Sequence, residues 1–590
     1  MNAKPRQHPA GSVESLGERI ARLLVQEGVD RFFSLPEVTF GKLHHKLDDL
    51  GCKLIAPHHE TVGGYMAEAY AQMTGNIAVT GANSGPGVMN LYPAVANSYA
   101  ENLPVLYLGS ERTLLARNSP RTSQFQQVPN TDVLTPITKF RAILEDPLEA
   151  DTLFQEAFRQ MHTGRPGPCY IGLPFDLLLE EREFGPLIPP ERYRPATFLD
   201  LVSEADLSRI ADTLANARRP LIIGGSGIRL SRAQEAFRAF VESLGAPVML
   251  TVGGRGALPD THPQVLRLGE GPGDRIAREA DVIITLGSSI GEKTGFGGNP
   301  YVRSQTGFPQ YFGPEGSQHW IQVDRDPAAI GRNRPVDDAL LGDVARVLPR
   351  LTGAIAERRP QLDRAATHTA KTEHETYLAE LGQAATGQSP LHPGKLVLEV
   401  QKALPKDVIW VRDGGATSVW QMNLLNHEIS DELTAMKHGN LGTGLPYAMG
   451  AAIAARDDDR HVVLFTGDGA FGFYLMEFET AVRYELPIVI VVAYDAGWSL
   501  ELPYYMHVCG RTFEIDHRQM RLDEIARQMG GHGEYCDKPD EIVPAVERAL
   551  ASGKPAIIQA HIDRDINAYQ MPNTHIWSRW HADKAVYSSD

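Results

Sequence analysis

Cysteine, long apolar runs and excess positive charge are all scarce in this 590-residue chain. Its four cysteines lie far apart and form no C-x-x-C pair, which argues against a disulfide framework and against a zinc site. No apolar run approaches the roughly 18 residues of a membrane span. Residues 1–20 contain no apolar segment of the kind found in signal peptides. We therefore expect a cytoplasmic protein with no membrane partner.

The formal net charge of −16 disfavours a nucleic-acid partner, because a protein surface that binds nucleic acid needs clustered positive charge. The hydrophobic fraction of 42% and the aromatic fraction of 8% are those of an ordinary folded protein. A chain of this length contains several domains at roughly 150 residues per domain.

Short β-branched runs alternate with helical patterns along most of the chain. This alternation predicts βαβ units and therefore an α/β fold of three doubly wound parallel-sheet domains. The proline-rich run 184–198 and the charged run 356–381 mark the boundaries. The predicted units are 12–183, 200–355 and 388–570, followed by a C-terminal tail at 571–590.

One short stretch, "FTGDGAFGF" at 465–473, predicts a ligand site. Gly467 ends an apolar run, Gly469 lets the backbone approach a ligand, and a helix start then offers N–H groups to an anion. Asp468 would repel a phosphate, and a divalent cation between them resolves the conflict. Asp495, 27 residues further on, follows the next apolar run. We expect the two carboxylates to meet at adjacent strand ends.

The whole pattern resembles the diphosphate motif of thiamine diphosphate (ThDP) enzymes. The similarity is to the branch that contains acetolactate synthase, pyruvate and benzoylformate decarboxylases, benzaldehyde lyase, oxalyl-CoA decarboxylase and the 2-hydroxyacyl-CoA lyases. It extends over nearly the whole chain, through "PHHETVGGYMAEAYAQMTGN" (57–76), "GGRGALPDTHP" (253–263), "DGGATSVW" (413–420) and "GNLGTGLPYAMGAA" (439–452). The three units would then be a pyrimidine-binding, a central Rossmann-like and a diphosphate-binding domain.

The resemblance implies ThDP and Mg²⁺ as cofactors and assigns roles to individual residues. Asp468, Asp495 and the carbonyl of Gly497 match the metal ligands, although the family usually has Asn in place of Asp495. Further cofactor-binding positions are Gly415, Ala416, Thr417, Gly439, Leu441, Gly467, Gly469, Ala470 and Trp498. Among these, Leu441 matches the apolar residue that bends the cofactor.

Four residues are candidates for roles beside the reacting centre. Glu60 matches the glutamate that exchanges a proton with the cofactor's pyrimidine ring, and we expect it in an apolar pocket that favours its protonated form. His59 is a candidate proton shuttle or a structural histidine. Asn83 is expected to face the substrate. Glu501 falls where some decarboxylases have a second acid, which could serve as a proton donor.

The predicted activity is cleavage or formation of a carbon–carbon bond next to a carbonyl. The substrate would be a 2-oxo acid or a 2-hydroxy ketone, and the alternative is a 2-hydroxyacyl-CoA lyase or an oxalyl-CoA decarboxylase-like enzyme acting on an acyl-CoA. Active sites of the family lie between subunits, which implies a homodimer or homotetramer.

Other readings depend on the central unit. The run "GSSIGEKTGFGGNP" at 287–300 replaces the motif typical of FAD-containing synthases, so we expect no FAD, while an ADP or CoA moiety stays open. The G-x-S-x-G match at Ser289 is followed by a glycine-rich run unfit for the helix that a hydrolase needs. A non-catalytic binding protein on the same scaffold is the remaining alternative.

Overall fold

The computed structural model describes residues 12–194, 199–268, 271–298, 311–314, 316–358, 362, 364–385, 389–458 and 460–568. The predicted tail at 571–590 lies outside the described residues. The chain forms two compact units: the first contains 12–194 and Lys437–Asn440, and the second contains the remaining described residues. Within the described ranges, no helix is both long and apolar enough to cross a membrane.

The first unit is built on one six-stranded parallel sheet in the order β3-β2-β4-β5-β7-β6. A separate antiparallel pair joins β1 to β8. The strands are β1 (Ser12–Ser15), β2 (Arg31–Ser34), β3 (Lys53–Ile55), β4 (Ala78–Ala82), β5 (Val105–Glu111), β6 (Phe140–Ile143), β7 (Cys169–Pro174) and β8 (Glu181–Phe184). The helices are α1 (Leu16–Gln26), α2 (Gly41–Asp49), α3 (Glu60–Thr74), α4 (Pro86–Glu101), α5 (Leu114–Arg117), α6 (Asn130–Leu134), α7 (Ala150–His162) and α8 (Phe175–Leu178).

The second unit begins with a six-stranded parallel sheet in the order β11-β10-β9-β12-β13-β14. Counted within this sheet, the order is 3-2-1-4-5-6, which is that of dinucleotide-binding folds. Its strands are β9 (Pro220–Gly224), β10 (Val248–Leu250), β11 (Val265–Leu266), β12 (Val282–Leu286), β13 (His319–Asp324) and β14 (Asp338–Leu341). Its helices are α9 (Glu204–Asn216), α10 (Ser226–Leu230), α11 (Gln234–Leu244), α12 (Gly271–Glu279), α13 (Val344–Arg358) and α14 (Ala365–Ala384).

The other sheet of the second unit also has six parallel strands, in the order β16-β15-β17-β18-β20-β19. Its strands are β15 (Val408–Arg412), β16 (Ile429–Leu433), β17 (Val462–Gly467), β18 (Ile488–Tyr494), β19 (His532–Cys536) and β20 (Ala556–His561). Its helices are α15 (Pro393–Ala403), α16 (Ala416–Leu424), α17 (Gly444–Ala454), α18 (Asp468–Gly472), α19 (Glu477–Arg483), α20 (Leu502–Tyr504), α21 (Leu522–Gln528) and α22 (Pro539–Ala551).

The prediction of three doubly wound parallel sheets is confirmed. The first and third sheets share the order 2-1-3-4-6-5 when each is counted from its own first strand. In both, the chain reverses its direction of winding between the first and third strands, which are β2 and β4 in one sheet and β15 and β17 in the other. Ligands of open α/β sheets bind at such switch points, outside the carboxyl ends of the strands.

Burial explains why the strands of these sheets read as continuous apolar runs. Every residue of β9, β12 and β15 is buried, as are all seven residues of β18. Helices cover both faces of a parallel sheet, so its strands lack the polar alternation of a half-exposed strand. These four strands therefore have no solvent-exposed face.

His44 of α2 is a polar residue inside the apolar packing of the first unit. Its ring lies edge-on to Phe32 at 5.4 Å and to Phe40 at 5.7 Å, and its buried Nε2 atom has no hydrogen-bond partner. Burial is the main cause that lowers the pKa of His44 to about 4.

This histidine is expected to make the first unit sensitive to acid. The unfolded chain binds the proton at an ordinary histidine pKa of about 6.5, so stability is full above that pH and is lost as the pH falls towards 4. Replacing His44 by Leu should remove this loss, which amounts to at most about 3 kcal/mol. In urea unfolding, the free energy of unfolding of His44→Leu minus that of the unsubstituted protein should grow as the pH falls from about 7 to about 5. The exposed neighbour offers a control, because His45→Gln should show no such growth; a constant gap for His44→Leu would contradict the prediction.

Candidate functional site

Three neighbouring strand ends of the third sheet form one cleft. β17 pairs with β15 on one side and with β18 on the other, so the turns after these strands meet at one edge. The cleft is lined by most of the predicted cofactor residues together with Glu501: Gly415, Ala416, Thr417, Leu441, Gly467, Asp468, Gly469, Ala470, Asp495, Gly497 and Trp498. Gly439 is not among the lining residues and belongs to the first unit.

Asp413, at the end of β15, holds two glycine-rich loops in place. Its buried carboxylate accepts hydrogen bonds from the backbone N–H groups of Gly414 (2.6 Å), Gly442 (3.0 Å) and Gly444 (2.9 Å). Burial raises the pKa of Asp413 to about 6, and the three N–H donors oppose that rise. The role of Asp413 was not predicted from the motif that contains it. Its position at a strand end before two glycines was the available signal.

Glycines allow the turns of the cleft to pack closely against neighbouring side chains. A Cβ atom on Gly469 would lie 2.6 Å from the indole of Trp498, and one on Gly415 would lie 2.8 Å from Leu500. Gly414 adopts a φ of +100°, which side chains of L residues rarely adopt. α16 begins directly after these glycines and has no side-chain cap. Its first N–H groups can therefore face an anion in the cleft.

Two buried carboxylates form the floor of the cleft. The side chain of Asp468 is only 8% exposed. Asp495, taken as a whole residue, is also only 8% exposed. Burial and the neighbouring charge of Asp495 raise the pKa of Asp468 to about 7, and burial also raises the pKa of Asp495. A divalent cation between the two groups would offset both costs, as it does at carboxylate–phosphate sites. The donor set therefore fits a diphosphate held through a divalent cation.

Two groups beside the acidic pair were not predicted. His517 Nδ1 lies 3.6 Å from Asp468, and its ring lies edge-on to Trp498 at 5.0 Å. Arg564 lies behind Gly497, where a Cβ atom would be 2.6 Å from the guanidinium Nη2 atom. The positive charge of Arg564 lowers the pKa of Asp495 against the effect of burial. Both residues come from distant loops, and no local motif pointed to them.

The other predicted residues lie in the first unit. Glu60 is the first residue of α3 and is half-buried within this unit; the apolar pocket expected around it stays a prediction. Asn83 follows β4 and accepts hydrogen bonds from Ser84 N (2.7 Å) and Ser110 Oγ (3.1 Å). Glu60 and Asn83 lie against Gly87, whose added Cβ atom would be 3.2 Å from Glu60 Oε1 and 3.4 Å from Asn83 Cβ.

His59 has a local structural role in the same region. It is the N-cap residue of α3, and its Nδ1 atom accepts a hydrogen bond from Thr61 N at 3.2 Å. This contact requires the tautomer that carries its proton on Nε2. A cap of this kind fixes the start of α3 and with it the backbone position of Glu60.

Three family models match successive parts of the chain. They are the N-terminal TPP binding domain of thiamine pyrophosphate enzymes at residues 14–133, the central domain at 207–351 and the C-terminal TPP binding domain at 413–560. Each match contains one of the three six-stranded sheets in part or in full. The third match contains the two carboxylates and the glycine-rich turns of the cleft.

Curated relatives match the chain over nearly its whole length. A probable acetolactate synthase of Mycobacterium bovis is 27% identical over 569 residues, which cover 93% of this chain and 96% of the relative. A probable acetolactate synthase large subunit of Methanocaldococcus jannaschii is 27% identical, with coverage of 92% and 91%. 2-Hydroxyacyl-CoA lyase 1 of Mus musculus is 26% identical, with coverage of 92% and 93%.

Two glycines of the same turn give a matched test of the cleft. Gly469→Ala should push the indole of Trp498 away and destabilise the second unit by about 1–3 kcal/mol, which is typical of overpacking. Gly467→Ala should leave folding intact, because its Cβ atom would have ordinary contacts of 3.4 Å or more with Thr417. Thermal unfolding and tryptophan fluorescence of the apo protein measure both effects. Equal stability of the two variants would mean that the close contact between Gly469 and Trp498 is wrong.

Proposed function

Because the chain belongs to the thiamine pyrophosphate enzyme family, we propose that it cleaves or forms a carbon–carbon bond next to a carbonyl, with ThDP and Mg²⁺ as cofactors. The observation that carries this proposal is the pair of buried carboxylates at the ends of β17 and β18, which faces glycine-rich turns in one cleft. The reaction we favour is decarboxylation of a 2-oxo acid or ligation of the resulting fragment to a second carbonyl compound.

The cleft residues would hold the diphosphate and the cation. Asp468, Asp495 and the carbonyl of Gly497 would bind Mg²⁺, and Ala416 and Thr417 at the start of α16 would donate N–H groups to the diphosphate. Leu441 would support the bend of the cofactor. Bound ThDP supplies an electron sink for the bond next to the carbonyl. The protein's own part is to bind, orient and exchange protons.

Three acid or polar groups would serve proton transfer and orientation. Glu60 would exchange a proton with the pyrimidine ring, and Gly87 leaves its Oε1 atom open to approach. Glu501 lines the same cleft as the acidic pair, which supports its role as a second acid. Asn83, held by Ser84 and Ser110, would orient the substrate carbonyl. His59 would act indirectly, because its cap fixes the start of α3 and with it the backbone position of Glu60.

Two substrate classes share this machinery. The relatives named acetolactate synthase support 2-oxo acids and 2-hydroxy ketones, and the relative named 2-hydroxyacyl-CoA lyase supports an acyl-CoA. We place the 2-oxo acid reading first and keep the acyl-CoA reading as the second candidate. In either reading we propose a homodimer or homotetramer without FAD, in which the central domain is open to an ADP or CoA moiety.

A substrate panel distinguishes the two candidates. Purified protein with ThDP and Mg²⁺ would be assayed against a series of 2-oxo acids and a series of 2-hydroxyacyl-CoA esters. Turnover of 2-oxo acids alone supports the favoured reading, and turnover of the esters alone replaces it by the lyase. A protein inactive on both, with ThDP bound and Glu60 exchanging no proton, would support the non-catalytic binding protein.

The first expected result concerns the metal. Asp468→Ala should abolish retention of ThDP, because a metal ligand and its charge are both lost. Asp495→Asn should be tolerated, since the amide keeps an oxygen ligand and relieves the repulsion between the two acids. Calorimetric titration of ThDP at fixed Mg²⁺ measures both variants. Wild-type affinity in Asp468→Ala would remove Asp468 from the metal site.

The second expected result concerns cofactor activation. Glu60→Gln should keep ThDP bound, because size and hydrogen-bonding reach are nearly preserved. Exchange of the cofactor's C2 proton for deuterium should slow by about 10²–10⁴-fold, which is typical for the loss of an acid–base group. Quench-flow NMR of the bound cofactor measures this rate whatever the substrate is. An unchanged rate would exclude Glu60 from the mechanism.

A further inference from the structure

Glu60 is held by a side chain of the neighbouring helix. Asn90 of α4 donates a hydrogen bond from Nδ2 to Glu60 Oε2 at 3.0 Å. The backbone carbonyl of Asn90 accepts a hydrogen bond from the hydroxyl of Thr61, the residue after Glu60. Asn90 thus contacts both the carboxylate of Glu60 and the first turn of α3.

The two oxygens of Glu60 therefore have different surroundings. Oε2 accepts the amide N–H of Asn90, while Oε1 lies over Gly87, where only the missing side chain leaves room for it. An amide group can only donate to a carboxylate, so this contact favours one orientation of the carboxyl plane. Oε1 is the oxygen left for exchange with another group.

A second contact of the same kind joins the same two helices. Glu68, two turns further along α3, accepts hydrogen bonds from Asn97 Nδ2 (2.6 Å) and Ser98 Oγ (2.9 Å) of α4. All three residues are fully buried. Between the two contacts, a Cβ atom on Gly64 would lie 2.5 Å from that of Ala94, so the helices approach too closely to slide past each other.

We propose that Asn90 is a positioning residue for Glu60, which holds Oε2 so that Oε1 is the atom that exchanges a proton with the cofactor. The inference rests on the proposed function, because it assigns a purpose to the orientation of Glu60. The close approach of Gly64 to Ala94 sets the helix register, the Glu68 contact adds stability to the helix pair, and Asn90 orients the carboxylate of Glu60. A purely structural Asn90 would stabilise the helix pair and leave proton exchange unchanged.

The test compares two asparagine substitutions on α4. Asn90→Leu removes the donor to Glu60, and Asn97→Leu removes the equivalent donor to Glu68; leucine is close to asparagine in shape. In Asn90→Leu, ThDP should stay bound while C2-proton exchange slows about tenfold. This slowing is smaller than that expected for Glu60→Gln, because the acid–base group is misplaced but still present. Asn97→Leu should lose stability and keep the wild-type exchange rate per bound cofactor.

Two further variants and an apo readout complete the test. Ser98→Ala replaces Asn97→Leu if the latter fails to fold. Asn90→Asp should slow exchange more than Asn90→Leu, because a second carboxylate repels Glu60. Crystal structures of the apo protein should show Glu60 in one rotamer in the wild type and in several rotamers in Asn90→Leu.

The outcomes separate this inference from the proposed function. If Glu60→Gln slows exchange but Asn90→Leu exchanges at the wild-type rate with Glu60 unmoved, the positioning role of Asn90 is wrong and the proposed function stands. If Glu60→Gln itself exchanges at the wild-type rate, the role of Glu60 is wrong and the inference falls with it.

Discussion

The second unit depends on a costly arrangement, in which two carboxylates are buried side by side at neighbouring strand ends. Burial is the main cause that raises the pKa values of Asp468 and Asp495, and the charge of Asp495 raises the pKa of Asp468 further. The surrounding structure has to hold them there. β17 pairs with β18 along its whole length, up to Gly467, and Tyr494 at the end of β18 pairs with His561 of β20. The residue before each acid is therefore fixed by strand pairing. Rigid strands thus position groups that would separate if they lay on loops.

A buried charge network joins the central sheet to the third sheet inside the second unit. Arg412 of β15 pairs with Glu432 of β16 at 2.7 Å, and Glu432 also pairs with Arg255 at 3.1 Å. Arg267 donates to the carbonyls of Met422 (2.7 Å) and Asn423 (2.6 Å), which belong to the C-terminal turn of α16. Cations at a helix C-terminus satisfy its free carbonyls and complement its dipole. The central sheet therefore stabilises the helix whose other end opens into the cleft.

The sequence predicted those parts of the fold and site that depend on local pattern. Apolar runs of strand length alternating with helical segments were sufficient for three parallel sheets. The interval between Asp468 and Asp495 was predicted to hold one helix and one strand, and the structure has two short helices, α18 and α19, followed by β18. Glycine-rich turns after such strands indicate a ligand site, because ligands of open α/β sheets bind outside the carboxyl ends of the strands.

The groups that were missed depend on contacts between distant segments. His517 reaches Asp468 because residues near it pair with the turn after β18, as the bridge between Gly497 and Asp516 shows. Asn90 reaches Glu60 because α3 and α4 pack at a glycine. Neither contact leaves a short-range signature in the sequence.

The departure of Asp495 from the asparagine usual in the family follows the same logic of compensation. An aspartate in place of an amide adds one negative charge to a floor that already holds Asp468. Arg564 lies behind Gly497, and its charge acts on Asp495 in the opposite sense to burial. Ser499 donates a hydrogen bond to the same carboxylate. The extra charge is therefore met by a cation and a hydroxyl that belong to the protein itself.

Only a glycine at 497 leaves room for that cation, because a Cβ atom there would collide with the guanidinium and with the carbonyl of Ile515. Gly497 thus combines two requirements: its backbone carbonyl is the proposed metal ligand, and its missing side chain admits the charge that makes a second aspartate tolerable.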